Sequence, residues 1–146
     1  MREKGGINYM ITKKIRIQFV DTDASGRIHY SAIFRYFEIM DHDFFRRIGY
    51  SYKKIFQLGL DMPRVHVECS YLGEIGYDDE LEAQVSVAKV GNSSYTLSFA
   101  FLKENKPVAK GSLTNVFIDS STGKSAKIPE SIRTELVKHL EPVAAN

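Results

Sequence analysis

The 146-residue chain has no tryptophan, a single cysteine (Cys69) and four prolines. One thiol excludes an internal disulfide framework and any cysteine-built zinc site, and it suits a reducing, cytoplasmic setting. No apolar run approaches the roughly 18 residues that a membrane-spanning helix needs. The N-terminal "MREKGGINYM" lacks the apolar centre of a secretory signal. Charge of one sign is also scarce. The formal net charge is +2, with Lys and Arg spread along the chain, so there is no patch for nucleic acid or an anionic membrane. Repeats, low-complexity tracts and Pro/Gly/Ser-rich linkers are missing, and the length suits one domain. His29, His42, His66 and His139 have no metal-ligand spacing. No phosphate-cradling glycine pattern occurs, and Ser31, Ser51 and Cys69 stand in no nucleophile elbow. No cofactor or metal is expected.

What the sequence does have is apolar patterning. Hydrophobic residues make up 43% of the chain, with nine Phe and eight Tyr to fill a core. In "KKIRIQFV" (13–20), Ile15, Ile17 and Phe19 alternate with polar residues, which predicts a half-buried strand. From Ser31 to Ile48 the period changes. Ile33, Phe37, Met40, Phe44 and Ile48 recur at spacings of three and four, a helical stripe. Phe34, Ile39 and Phe45 add apolar character on other faces, so the helix is expected to be buried on more than one side. Gly49 stands at the C-terminal glycine position, and a short second helix is expected over 52–58. Beyond it, 64–72, 81–88, 95–101 and 108–118 alternate as strands, separated by turn-forming "GYDDE", "VGNSS" and "KENKP". Pro129 opens an amphipathic helix carrying Ile132, Leu136 and Leu140. The order is strand, long helix, four meandering strands, short helix. A five-stranded antiparallel sheet needs cover on its inner face, and the one long helix is the element available, which gives an α+β architecture. Residues 1–12 read as a flexible extension with translation starting at Met1 or Met10. Residues 13–140 read as the domain and 141–146 as a tail.

The joint between first strand and long helix, "DTDASGRIHY" (21–30), carries the concentrated polar chemistry. This motif and the helix that follows it, "DTDASGRIHYSAIFRYFE", resemble the hot-dog-fold acyl-CoA thioesterases, in particular the 4-hydroxybenzoyl-CoA thioesterase and YbgC-like branch. "VECSYLGEIGYDDELEAQVSV" and "AKGSLTNVFIDSSTGKSAKIPESI" fit that family's later strands and its exit into the last helix. The resemblance spans roughly residues 13–140. It implies a hot-dog fold, in which a five-stranded antiparallel sheet wraps one long helix. It also implies hydrolysis of a thioester to a carboxylic acid and free CoA.

Such a reaction needs a nucleophile or a base for water, and donors for the charge that develops on the carbonyl oxygen. By the resemblance, Asp23 is that nucleophile or general base, and the backbone N–H of Tyr30 at the helix start is the oxyanion donor. A carboxylate before a helix is favoured in its ionised form. On propensity alone either aspartate could brace the turn; the resemblance makes Asp21 the brace and Gly26 the residue that permits the bend. His29 stands where many of these sequences read Tyr-His, whereas here the order is His29-Tyr30. It is expected to orient Asp23 or a water, or to sit at the rim. Phe34 and Glu38 follow Tyr30 on one helical line and are candidates to touch substrate, although for the Glu38 carboxylate a structural pairing is the favoured reading. His66 and Glu68 share a strand face that reads as solvated. The family's active sites lie between two subunits joined at their sheet edges, so a homodimer, and from it a homotetramer, is expected. Two alternatives remain: an enzyme acting on acyl-carrier-protein thioesters, and a non-catalytic acyl-CoA-binding module, which an intact Asp23 argues against.

Overall fold

The computed structural model describes residues 9–142. Helix α1 (Ile33–Arg47) packs on one face of a sheet formed by β1 (Ile11–Arg16), β3 (Arg64–Tyr71), β4 (Glu80–Val90), β5 (Ser94–Lys103) and β6 (Lys106–Val116). The strand order is β1-β4-β5-β6-β3, and every neighbouring pair is antiparallel. Helix α2 (Tyr52–Gln57) follows α1. A two-stranded ribbon, β2 (Leu60–Asp61) with β7 (Ile118–Asp119), stands apart from the main sheet. Helix α3 (Glu130–Val137) buries Ile132 and Leu136, and the chain after it bonds to β4 through Val87. This is the α+β layering that the apolar periods predict.

The predicted helical stripe is the buried one: Ile33, Phe37, Met40, Phe44 and Ile48 all face the core. Phe37 stacks on Phe99 and Phe101 of β5, with ring centroids 4.4 and 5.8 Å apart. That close seat depends on Gly111 of β6, where a Cβ would fall 2.6 Å from the Phe37 ring and 2.2 Å from the Glu68 carbonyl oxygen. Glycine here is required by close approach of helix to sheet.

Two strand ends differ from the sequence expectation. β1 begins at Ile11, inside the stretch read as an extension, and stops at Arg16, short of the expected end at residue 20. Ile15 and Ile17 are buried as expected, but Phe19 and Val20 are 75% and 83% exposed. The cause is local. The Tyr36 hydroxyl accepts the Gln18 N–H (3.0 Å), and a 3-10 turn over Phe19–Asp21 then lifts the chain off the sheet. The last long run also divides. Its inward alternation continues through Phe117, but pairing passes from β5 to the β2–β7 ribbon. The rest of the expected extension (1–8) and part of the expected tail (143–146) lie outside the described residues.

Strand β3 is a sheet edge, bonded only to β6 among the described residues. Val67, Cys69 and Tyr71 point to the α1 side, opposite Leu113, Gly111 and Ala109. Even so, Val65, Val67, Tyr71 and the following Leu72 remain exposed. The period that reads as half-buried is therefore largely uncovered within one chain.

Candidate active site

The segment from Asp21 to Tyr30 folds into a narrow hairpin. The Asp23 N–H donates to the Arg27 carbonyl (2.8 Å), the His29 N–H to the Asp21 carbonyl (2.8 Å), and Thr22 bridges to Ile28. A second segment flanks it. The Ile28 N–H donates to Ile75 (2.8 Å), and the Tyr77 N–H to Gly26 (3.0 Å). The turn is thus a built feature held from both sides.

Its two carboxylates have opposite settings. Asp21 is 7% exposed and accepts from Arg35 Nε (3.1 Å), a second Arg35 nitrogen and the Tyr36 hydroxyl (2.7 Å). The Arg35 hydrogen bond, above all, holds its carboxyl below the usual range. This ties the turn to the first turns of α1. Asp23 is exposed at the hairpin tip. Its Oδ1 accepts from the Ser25 hydroxyl (2.5 Å) and the Ser25 N–H (2.8 Å). These bonds, first the hydroxyl and then the amide, lower its pKa. Asp23 is therefore an ionised carboxylate whose Oδ2 makes no hydrogen bond among the described residues. Ser25 was not singled out from the sequence, although an aspartate two residues before a serine is an Asx-turn signal.

Tyr30 stands in the turn before α1 with its ring 74% exposed and stacked on His29 at 4.7 Å. Its N–H finds no acceptor among the described residues, as expected of a donor at a helix start. The Ser31 N–H (3.3 Å) and hydroxyl (2.9 Å) both lie on His29 Nδ1. Because the amide can only donate, Nδ1 is an acceptor, and the neutral ring carries its proton on Nε2. Phe34 is half-buried, edge-on to Phe37 at 5.3 Å. Glu38, one turn further, is exposed, and its carboxylate has no hydrogen bond or ion pair among the described residues. His66 and Glu68 lie on the sheet face away from α1, 3.3 Å apart, with Glu68 also accepting from Ser112. Between the hairpin and the end of β3 lies a cavity of about 220 Å³ lined by Ile28, Tyr30, Tyr71, Gly73 and Ile75. The exposed Arg27–Glu74 pair (2.8 Å) stands at its rim.

A second polar cluster, not foreseen from the sequence, sits near the far end of α1. Asp41 is fully buried and accepts from the Tyr52 hydroxyl and from Arg64 (2.9 Å). Asn115 donates to the Tyr95 hydroxyl (2.8 Å) and toward that of Tyr52 (3.3 Å). One oxygen each of Asp41 and Asn115 has no partner among the described residues. Burial pushes the Asp41 carboxyl up to about 6 despite Tyr52 and Arg64. No group of His, Cys, Asp and Glu among the described residues is arranged to hold a metal ion. No helix among them is long and apolar enough to cross a membrane.

The sheet-on-helix layering has clear counterparts. Residues 17–136 match the sequence model of the Thioesterase-like superfamily, and the chain belongs to that superfamily. A 1,4-dihydroxy-2-naphthoyl-CoA hydrolase of Prochlorococcus marinus is 26% identical over 127 residues, 82% of each chain. The crystal structure of a hypothetical protein from Aquifex aeolicus superposes with a TM-score of 0.81 at 31% identity, covering 86% of this chain and 98% of that one. A Staphylococcus aureus protein solved in complex with CoA gives a TM-score of 0.87 at 16% identity, over 99% and 94% of the two chains. That last likeness concerns the fold alone. The fold is the hot-dog fold.

Proposed function

We propose that this protein is a cytoplasmic acyl-CoA thioesterase of the 4-hydroxybenzoyl-CoA thioesterase and YbgC-like branch, hydrolysing a thioester to a carboxylic acid and free CoA. The observation that carries this reading is a single hairpin with two complementary groups. It presents an ionised carboxylate at its tip, Asp23, and a backbone donor without an acceptor at its exit, Tyr30 N–H. Superfamily membership and the CoA-thioester hydrolase named among the relatives support it.

Two routes use these groups. In one, an Asp23 oxygen attacks the thioester carbonyl carbon, the C–S bond breaks to release CoA thiolate, and water hydrolyses the resulting anhydride. In the other, Asp23 takes a proton from a water whose oxygen attacks the same carbon. The adduct then collapses with cleavage of the C–S bond, and the CoA thiolate leaves and takes up that proton. Both place negative charge on the carbonyl oxygen, where the Tyr30 N–H receives it. His29, with Nε2–H directed outward from its Ser31 contacts, orients water or Asp23. Phe34 and Glu38 line the substrate path, and the 220 Å³ cavity beside Tyr30 takes the near part of the acyl group.

A homodimer joined at the β3 edges completes the site, and dimers pair into a homotetramer. An edge strand with open backbone groups and exposed Val65, Val67, Tyr71 and Leu72 favours pairing with another chain. The test is thiol release from a panel of straight-chain and aromatic acyl-CoA esters, with acyl-carrier-protein esters alongside. Turnover of at least one CoA ester by the wild type is the expected result. Turnover restricted to carrier-protein esters would move the assignment to that thiol carrier. Tight binding without hydrolysis would replace it with a non-catalytic binding module.

A further inference from the structure

The Tyr30 N–H is useful only if its peptide plane is held still, and the structure shows what holds it. In a trans peptide the N–H points opposite to the carbonyl of the preceding residue. The His29 carbonyl accepts the Ala32 N–H at 2.9 Å, so the Tyr30 N–H is turned away from the first turn of α1. One residue earlier, the His29 N–H is fixed on the Asp21 carbonyl, and Asp21 is itself buried against Arg35 and Tyr36. These contacts fix the entry to Tyr30.

The exit is fixed from a different part of the chain. The Tyr71 hydroxyl, at the end of β3 and 41 residues away in sequence, donates to the Tyr30 carbonyl oxygen. The end of β3 is itself anchored, because the Leu72 and Gly73 N–H groups both donate to the Val108 carbonyl at 2.9 and 3.2 Å. Burial, with a smaller effect of Cys69, pushes the Tyr71 phenol up to about 12, so it remains a donor throughout the working pH range.

We infer that Tyr71 is a positioning residue for the thioesterase reaction: its hydroxyl clamps the Tyr30 carbonyl and thereby pre-organises the Tyr30 N–H as the oxyanion donor. The inference rests on the functional reading above and adds a residue to it. The Tyr71 hydroxyl touches no reacting atom. It acts through the backbone of Tyr30 and couples the hairpin to β3, the strand at the open sheet edge. Pre-organised donors avoid reorganisation as charge develops, and small displacements of such donors weaken the transition state more than the ground state.

Tyr71→Phe keeps the ring that lines the cavity and removes only the clamp. On an acyl-CoA that the wild type hydrolyses, kcat is expected to fall roughly 10- to 100-fold, with KM within about twofold of wild type. The rate is taken per binding-competent protomer, counted by stoichiometric binding of the thioether analogue of the substrate. That analogue has no carbonyl at the reacting position, so the count does not depend on the oxyanion donor, and a fraction of unfolded protein cannot imitate the effect. An unchanged kcat per competent protomer would overturn the inference, whatever happens to the thermal midpoint. So would a loss confined to KM, which would mark Tyr71 as a cavity wall only. If the wild type hydrolyses no acyl-CoA, the functional reading itself fails, and that failure is seen before the variant is made.

Discussion

The hairpin before α1 and the corner near its far end treat the same side chain in opposite ways. Asp23 is exposed, held among the described residues by Ser25, and shifted toward ionisation. Asp41 is fully buried among Tyr52, Arg64 and Asn115, and shifted toward protonation. Hydrogen bonds to a carboxylate favour its charged form, while removal from water disfavours it, and the larger effect decides. At the tip of a solvated turn two short bonds win. In the interior, two bonds do not offset desolvation, and an oxygen of Asp41 is left without a partner. A carboxylate of the first kind is available for chemistry, whereas one of the second kind joins helix to sheet. Asp21 lies between them. It is buried like Asp41 yet kept ionised by Arg35, and its position in the sequence belongs to the hairpin.

The largest effect expected from breaking this contrast is on rate. Asp23→Asn removes the charge and keeps the shape, so thiol release is expected to drop by roughly 10³-fold. The thermal midpoint should fall only slightly, since among the described residues this exposed side chain bonds only to Ser25. Full activity in this variant would remove Asp23 from the mechanism.

Asp41 should show itself in stability against pH. Its folded-state pKa of about 6 lies above the 3.8 of an unperturbed aspartate. Between those values the folded chain holds a proton that the unfolded chain has lost, so stability falls as pH rises through the window and levels off above it. The size is at most roughly 3 kcal/mol for a shift of about two units. Asp21 and Asp23, with lowered pKa values, act in the reverse sense and lose stability as pH falls below the ordinary carboxylate range. The measurement is therefore a difference. Denaturant midpoints of wild type and Asp41→Asn, taken from pH 4 to 7, should diverge, with Asp41→Asn gaining relative to wild type as pH rises. Parallel curves would mean that Asp41 is ionised across the whole range.

A smaller loss is expected at Asp21. Replacing it with alanine takes the acceptor from the buried Tyr36 O–H and leaves Arg35 to solvent, at about 2 kcal/mol. The same variant should slow hydrolysis, because the His29 and Tyr30 backbone is entered through Asp21. If chemical denaturation shows no change, the Arg35–Asp21–Tyr36 cluster is not the brace described here.

Much of this contrast is invisible in the sequence, for identifiable reasons. Period alone located α1, since Ile33, Phe37, Met40, Phe44 and Ile48 are all core residues. It also located four of the five strands of the main sheet within a few residues. Period does not reveal where a strand leaves its sheet. Phe19 continues the alternation of β1 but stands in solvent, because Tyr36, far along the chain, captures the Gln18 N–H. Nor does it show a change of partner, as at Phe117, where the inward face continues while the pairing moves to β2. The hairpin was legible because its chemistry is local. Asp23, Gly26, His29 and Tyr30 stand within eight residues. Its distant support was not legible, since Tyr71 reaches Tyr30 across 41 residues, and neither was the separate buried cluster, where Asp41 meets Arg64 across 23. Nothing in "VECSY" distinguishes a clamp from a core tyrosine.

The smallest effect concerns what Gly26 is for. Two roles are compatible with a glycine in the hairpin: freedom for the backbone, or room for substrate. Gly26 has φ +83°, and a Cβ built there would meet nothing within 4 Å. The space beside it is open, so room is not in short supply, and conformation is the remaining reason for glycine. Gly26→Ala should cost about 1 kcal/mol of stability from the left-handed backbone, and Gly26→Asn should cost less, since asparagine tolerates that region. KM should be unchanged in both. A raised KM in Gly26→Ala, with stability unaltered, would mean that the substrate passes over this side of the turn.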